Sequence, residues 1–263
     1  MIDIGVTGAA GRMGRRLIAL AREESDLRVV AAVERAGAPQ VGRDAGEVAG
    51  IGPIGVPISA ALDTVPQVLI DFSAATATTG WTATCRQKGI ALVIGTTGLG
   101  PDVHAAIDAA ARDIAILQAA NMSLGVNVLI KIAAQVAAML GEDYDIEILE
   151  SHHRFKKDAP SGTALALAEA IVKATKRGTS DLSYGRRGDN VPRRPREIGI
   201  HAMRLGDEVG KHTVHFAALG ERVELTHTAT NRDTFARGAL RAARWLADQR
   251  PGRYTMADVL GLR

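Results

Sequence analysis

The feature that most restricts the fold is a glycine turn set between two short apolar stretches. Met1-Ile2-Asp3-Ile4-Gly5-Val6-Thr7 has the composition of a strand, and Gly8-Ala9-Ala10-Gly11-Arg12-Met13-Gly14 follows directly. Met13, Leu17, Ile18 and Ala21 then fall on one helical face, and residues 27–33 form a second strand ending at Glu34-Arg35. Strand, glycine turn, helix and strand make a βαβ unit, in which the turn seats a pyrophosphate on the helix N-terminus. The GxxGxxG spacing departs from the commoner GxGxxG, so the flanking elements carry the reading. Residues 35–65 are irregular, with a short strand expected near Val56. Strands at 67–73, 90–98 and 114–118 then alternate with helices at 74–88 and 101–112. This rhythm predicts an α/β fold with a doubly wound, parallel, Rossmann-like sheet.

Ligands on such sheets lie beyond the carboxyl ends of the strands. That rule brings Phe72-Ser73, Gly95-Thr96-Thr97 and Ala120-Asn121-Met122-Ser123 to the nicotinamide end of a dinucleotide. Thr96 and Asn121 could equally cap the helices that follow them. Gly8, Ala9, Ala10, Gly11, Arg12 and Met13 line the expected pyrophosphate turn. Glu34 stands where a carboxylate accepts from the ribose hydroxyls of NAD, and Arg35 where a guanidinium pairs with the 2′-phosphate of NADP. The alternative is a solvated Glu-Arg pair at a strand end. With both residues present, use of both NADH and NADPH is expected.

The stretch richest in chemistry is Glu150-Ser151-His152-His153-Arg154-Phe155-Lys156-Lys157-Asp158-Ala159-Pro160-Ser161-Gly162-Thr163. Residues 145–149 before it alternate polar and apolar side chains as a half-buried strand does, and residues 164–172 after it have helical composition. A helix opening near Ser161 offers unpaired backbone donors, and Gly162 lets a ligand approach them closely. Lys156 adds a positive charge, and either histidine could serve as an acid near neutral pH. On a continuing strand His152 and His153 would face opposite ways, whereas in a loop both could face a pocket. The plainer alternative is a solvated basic loop in front of a capped helix. Glu147, Glu150, His152 and His153 could in principle hold a metal, but no metal is expected.

This stretch resembles, almost residue for residue, the signature of the 4-hydroxy-tetrahydrodipicolinate reductase family, nicotinamide-dependent reductases of the lysine and diaminopimelate pathway. The resemblance extends over essentially the whole chain. It implies reduction of a cyclic imine dicarboxylate with loss of water, hydride passing from NADH or NADPH across a cleft between two domains. It implies that His152 is the proton donor and Lys156 the second catalytic residue. His153 would be a substrate contact, and the backbone of Gly162 and Thr163 a carboxylate site. Gly95-Thr96-Thr97 and Ala119-Ala120-Asn121-Met122 would contact the nicotinamide side of the cofactor. Met122 departs from the phenylalanine common in the family, so no ring stacks there. The charge of Lys156 favours neutral His152, and a bound dicarboxylate would restore the imidazolium.

The rest of the chain fits this frame. Residues 123–231 are expected to form a smaller α+β domain for substrate binding and oligomerisation; residues 1–122 and 232–263 would form the dinucleotide-binding domain. Val128, Leu129, Ile132, Val136, Met139 and Leu140 mark a helix face. Residues 197–203, 211–217 and 222–228 alternate as strands and, with the strand ending near Glu150, predict a mixed sheet of about four strands backed by one helix. The family's assembly makes a homotetramer through that sheet the expectation. His201, His212, His215 and His227 read as surface or interface histidines. Residues 177–196 read as a mobile basic loop, solvated or closing over an anion. With 46% hydrophobic, 23% charged and only 3% aromatic residues and a net charge of +3, the chain is no candidate nucleic-acid binder. A single cysteine, Cys85, excludes an internal disulfide, and no stretch is apolar enough for a membrane span, so a soluble, cytoplasmic enzyme is expected. Two rivals remain: another dinucleotide-dependent amino-acid dehydrogenase, which needs no HHxxK before Ser-Gly-Thr, and a non-catalytic NAD(P)-sensing protein, which should carry a helix-turn-helix.

Overall fold

The computed structural model describes residues 1–262. In chain order the elements are β1 Ile2–Thr7, α1 Arg12–Ala21, β2 Leu27–Val33, α2 Ala45–Ala49, β3 Ile58–Ser59, β4 Val68–Asp71, α3 Ala75–Lys88, β5 Ala91–Ile94, α4 Pro101–Ala110 and β6 Ala115–Gln118. They continue as α5 Leu124–Leu140, β7 Asp145–His152, α6 Gly162–Ala174, β8 Leu182–Ser183, β9 Ile198–Arg204, β10 Gly210–Ala218, β11 Glu221–Ala229, α7 Asp233–Leu246, β12 Gly252–Tyr254 and α8 Met256–Leu260. The chain divides into two compact units, Met1–Leu124 with the segment from Asp233 onward, and Gly125–Arg232. None of the described helices is long and apolar enough to cross a membrane.

The first unit is a seven-stranded sheet in the order β12-β6-β5-β4-β1-β2-β3, parallel throughout. Its central strand β4, Val-Leu-Ile-Asp, is buried at every position, as a strand covered on both faces must be. One face packs Ile4, Val6 and Ile70 against Leu17 and Ile18 of α1 and Leu240 and Ala243 of α7. The other packs Leu69, Leu92 and Ile94 against Cys85 of α3 and Ile107 of α4. The strand order reverses between β1 and β4, so the crevice for a ligand lies beyond Thr7 and Asp71.

The second unit is a five-stranded mixed sheet, β11-β10-β7-β9-β8. β7 runs antiparallel to β10 and parallel to β9. Even-numbered residues of β7, β9 and β10 (Ile146, Ile148, Ile198, Ile200, Val214, Phe216) point to one face, where α5 and α6 bury them with Leu129, Ala133, Leu167 and Ile171.

Several expectations are corrected here. The sheet has five strands, because β8 arises inside the basic segment, and two helices back it. On α5 the buried positions are Val126, Leu129, Ala133 and Ala137, while Ile132 and Met139 are 40% and 81% exposed. Close packing over the strands favours alanine, so the bulkier side chains do not mark the buried stripe. A short helix, α2, breaks the irregular stretch, capped by the Asp44 carboxylate accepting from Gly46 and Glu47 N–H. The basic segment is pinned by ion pairs. Arg186 and Arg193 both reach Glu147, Arg194 pairs with Glu197 at 3.1 Å, and buried Arg177 donates to the carbonyls of Arg196 and Tyr144.

Candidate active site

Period-two alternation decides what the second unit can do at the end of β7. The face that buries Ile146 and Ile148 continues through Glu150 to His152. The strand ends at His152, so the question of opposite faces resolves with His152 on the helix-covered side and His153 leaving in the loop. Neighbouring strands bring Arg204, in register with His152, and His212, in register with Glu150, to the same face. Ser161 caps α6 there, its Oγ accepting from Ala164 N–H at 3.2 Å.

Glu150 is fully buried and accepts four hydrogen bonds. His152 Nδ1 lies 2.5 Å from Oε2, Arg204 bonds both oxygens at 2.8 and 2.9 Å, and Ser161 N–H reaches Oε1 at 3.0 Å. Burial alone would raise its pKa, but Arg204, His152 and the Ser161 N–H outweigh burial and hold the carboxyl below its usual range. His152 is lowered, chiefly by burial, with Glu150 opposing and Lys156 and Arg204 adding to the depression. His212 is 3% exposed, so the surface or interface reading fails for it. Its Nε2 is 3.1 Å from Ser161 Oγ, and its ring meets that of His152 edge-on at 5.1 Å. Burial, then the neighbouring His152, push its pKa down to about 4. His201 pairs with Glu147 and His215 with Glu224.

Lys156 is partly exposed and its Nζ is held by both oxygens of Asp158 at 2.8 Å. No side chain stands before Gly162, where a Cβ would meet nothing within 4 Å. Gly162 and Thr163 are the first two residues of α6, at the helix end where backbone N–H groups favour an anion. The Phe155 side chain is 78% exposed. Arg204 and His212 escape a linear reading as members of the site, because strand register brings them to Glu150 from β9 and β10.

In the first unit Gly8 has φ +66°, and a Cβ on it would come within 2.5 Å of the Phe72 carbonyl oxygen. A Cβ on Gly14 would lie 2.2 Å from Gly8 O, so α1 starts as close to β1 as backbone allows. Arg12 and Met13 open α1 behind exposed Gly11, with no side chain capping the helix. Such a start leaves its N–H groups to an anion, and the turn fits a dinucleotide pyrophosphate. The Glu34 carboxylate reaches the same turn, accepting from Ala10 N–H at 3.2 Å and Arg35 N–H at 3.0 Å. Ala9 N–H is bonded to Val33 O, and Arg35 is exposed. Asp71, fully buried on β4, accepts from Thr7 Oγ1 of β1 at 2.6 Å and from Thr78 Oγ1 of α3 at 2.8 Å.

Gly95 packs under the Phe72 ring, and Thr96 Oγ1 donates to Asp71 O, while Thr97 is exposed. Ala119 N–H donates to Ile94 O, Ala120 is exposed, and Asn121 Oδ1 accepts from Ser123 N–H in a local turn. The Met122 side chain is 2% exposed in the core, so any dinucleotide contact there falls to its backbone.

A switch-point glycine turn in one unit and a buried acid–histidine pair beside a helix N-terminus in the other define a dinucleotide-dependent oxidoreductase. The family description "Dihydrodipicolinate reductase, N-terminus" matches residues 2–122, and "Dihydrodipicolinate reductase, C-terminus" matches residues 125–260. The 4-hydroxy-tetrahydrodipicolinate reductase of Myxococcus xanthus is 49% identical over 268 residues, covering 100% of this chain and 99% of that one. The enzyme of the same name from Alkalilimnicola ehrlichii is 51% identical, covering 98% of each. Among solved structures, dipicolinate-bound dihydrodipicolinate reductase from Paenisporosarcina sp. TG-14 superposes with TM-score 0.78 at 22% identity over 98% of each chain. Amine dehydrogenase from Mycobacterium smegmatis shares the fold more distantly, with TM-score 0.60 at 15% identity and 97% and 95% coverage. The chain belongs to the dihydrodipicolinate reductase family.

Proposed function

We infer that this chain reduces 4-hydroxy-tetrahydrodipicolinate, with loss of water, to tetrahydrodipicolinate in lysine and diaminopimelate biosynthesis. The observation that carries the reading is His152, half-buried beside the N-terminus of α6 in a family member. A nicotinamide dinucleotide supplies hydride when bound. Gly8, Ala9, Ala10, Gly11, Arg12 and Met13 hold its pyrophosphate; Glu34 and Arg35 take its adenosine end. The Glu34 carboxylate beside Ala10 and the exposed Arg35 support use of both NADH and NADPH. Gly95, Thr96, Thr97 and the Ala119 to Met122 backbone take the nicotinamide side.

Gly162 and Thr163 N–H groups hold one substrate carboxylate, and His153 contacts the ring. Lys156, released from Asp158, offsets negative charge as it develops on the imine side. His152 then protonates the carbon next to the one that accepts hydride. In the free enzyme burial keeps His152 largely neutral; a bound dianion raises its pKa and loads the acid. Four copies joined through the helix-free face of the five-stranded sheet make the assembly. Mixing purified protein with NADPH or NADH and enzymatically generated hydroxy-tetrahydrodipicolinate, and following nicotinamide absorbance, tests the reading. Substrate-dependent oxidation of both cofactors is expected, and none with either would end it.

A further inference from the structure

We propose that Glu150 is a positioning residue for this reaction: its buried carboxylate fixes the His152 imidazole with Nδ1–H towards it and Nε2 left to carry the transferred proton. The inference rests on the reading of His152 as proton donor.

A fully buried carboxylate is costly unless every lone pair is engaged. Glu150 meets that demand through the two-pronged Arg204 fork, the Ser161 N–H and His152 Nδ1. An ionised carboxylate only accepts, so Nδ1 must bear hydrogen in both protonation states of the ring. The donating nitrogen is then Nε2, and after transfer the ring is left as the tautomer Glu150 already favours. Arg204 also donates to the carbonyl of Asp158, so the same fork that pairs with Glu150 anchors the loop carrying Lys156. Ser161 ties the carboxylate to the first turn of α6. One carboxylate thereby sets the distance between the acid and the anion seat.

Charged and titratable groups around His152 oppose one another. Glu150 on its own strand favours the imidazolium; Lys156 in the loop and Arg204 on β9 disfavour it, and His212 on β10 meets its ring edge-on. A partner serving only to neutralise Arg204 and cap α6 would not set the tautomer or the acid's pH range.

The test is Glu150→Gln, which keeps the shape and removes the charge. Turnover is expected to fall by about 10²-fold or more, with the dinucleotide KM unchanged and the alkaline limb of the pH profile, where His152 loses its proton, moved to lower pH. Nitrogen-15 spectra of the wild-type enzyme give a second readout that needs no variant at Glu150. The His152 resonance, assigned by its loss in His152→Gln, should show protonated Nδ1 and bare Nε2 above its pKa. Turnover and pH profile within about two-fold of wild type in Glu150→Gln would overturn the proposal. So would an Nε2–H tautomer in the wild type, which holds even if Glu150→Gln fails to fold. Near-normal turnover of His152→Gln would instead remove the underlying assignment of the acid.

Discussion

Gly210 lies against the imidazole of His152, so closely that a Cβ on Gly210 would sit 3.0 Å from Nε2 and 3.3 Å from Cδ2. The backbone of β10 thus forms one wall of the acid's slot. Gly210→Ala should tilt the ring away from Glu150 and cost about 10-fold or more in kcat while leaving dinucleotide affinity intact. Steady-state kinetics with cofactor titration checks it; an unchanged kcat would mean the ring has room to spare.

Lys156 and Asp158 form an ion pair that substrate must compete with. The Asp158 side chain is 60% exposed, so the pair contributes at most about 1 kcal/mol. Asp158→Asn should free Lys156 and lower the KM for substrate, by up to about five-fold. Lys156 holds the Asp158 carboxyl below its usual range, so in the wild type the competition persists at neutral pH and fades as the carboxyl protonates in acid. The KM advantage of Asp158→Asn should therefore shrink as pH falls.

Much of the site is written locally. The strand, two histidines, a lysine and Ser-Gly-Thr fall within one run of sequence, and so does the glycine turn with Glu34 at the next strand end. What escapes a linear reading is what register assembles. Arg204 and His212 join Glu150 because β9 and β10 flank β7, and nothing in their own neighbourhoods signals it. The arginines after Arg177 look solvated for the same reason, since Glu147 and Glu197, which pair with them, lie on β7 and just before β9. Helix α5 misleads differently: its alanines pack where Ile132 and Met139 seemed the natural choice.

His212 makes folding stability depend on pH. Its folded pKa of about 4 lies below the ordinary 6.5, so the unfolded chain takes up the proton first as pH falls. Its contribution is intact above about pH 6.5, drains away down to about pH 4, and amounts to at most about 3 kcal/mol. His212→Asn should be less stable than wild type at pH 7, with the gap narrowing over that window in urea unfolding. A constant gap would show that His212 titrates normally.

Arg35 is exposed at the end of β2, one residue beyond Glu34. Arg35→Ala should raise the KM for NADPH about ten-fold or more while changing that for NADH little, because only NADPH carries the 2′-phosphate a guanidinium can fork. Equal changes for both cofactors would remove Arg35 from the phosphate site.

The central claim is that His152, aided by Lys156, supplies the proton that completes imine reduction. Single-turnover oxidation of NADPH by His152→Gln and Lys156→Ala, with dinucleotide affinity measured in parallel by fluorescence, bears on it directly. Rates lower by about 10²–10⁴-fold at unchanged NADPH affinity are the predicted result. Near-wild-type rates in both variants would contradict it.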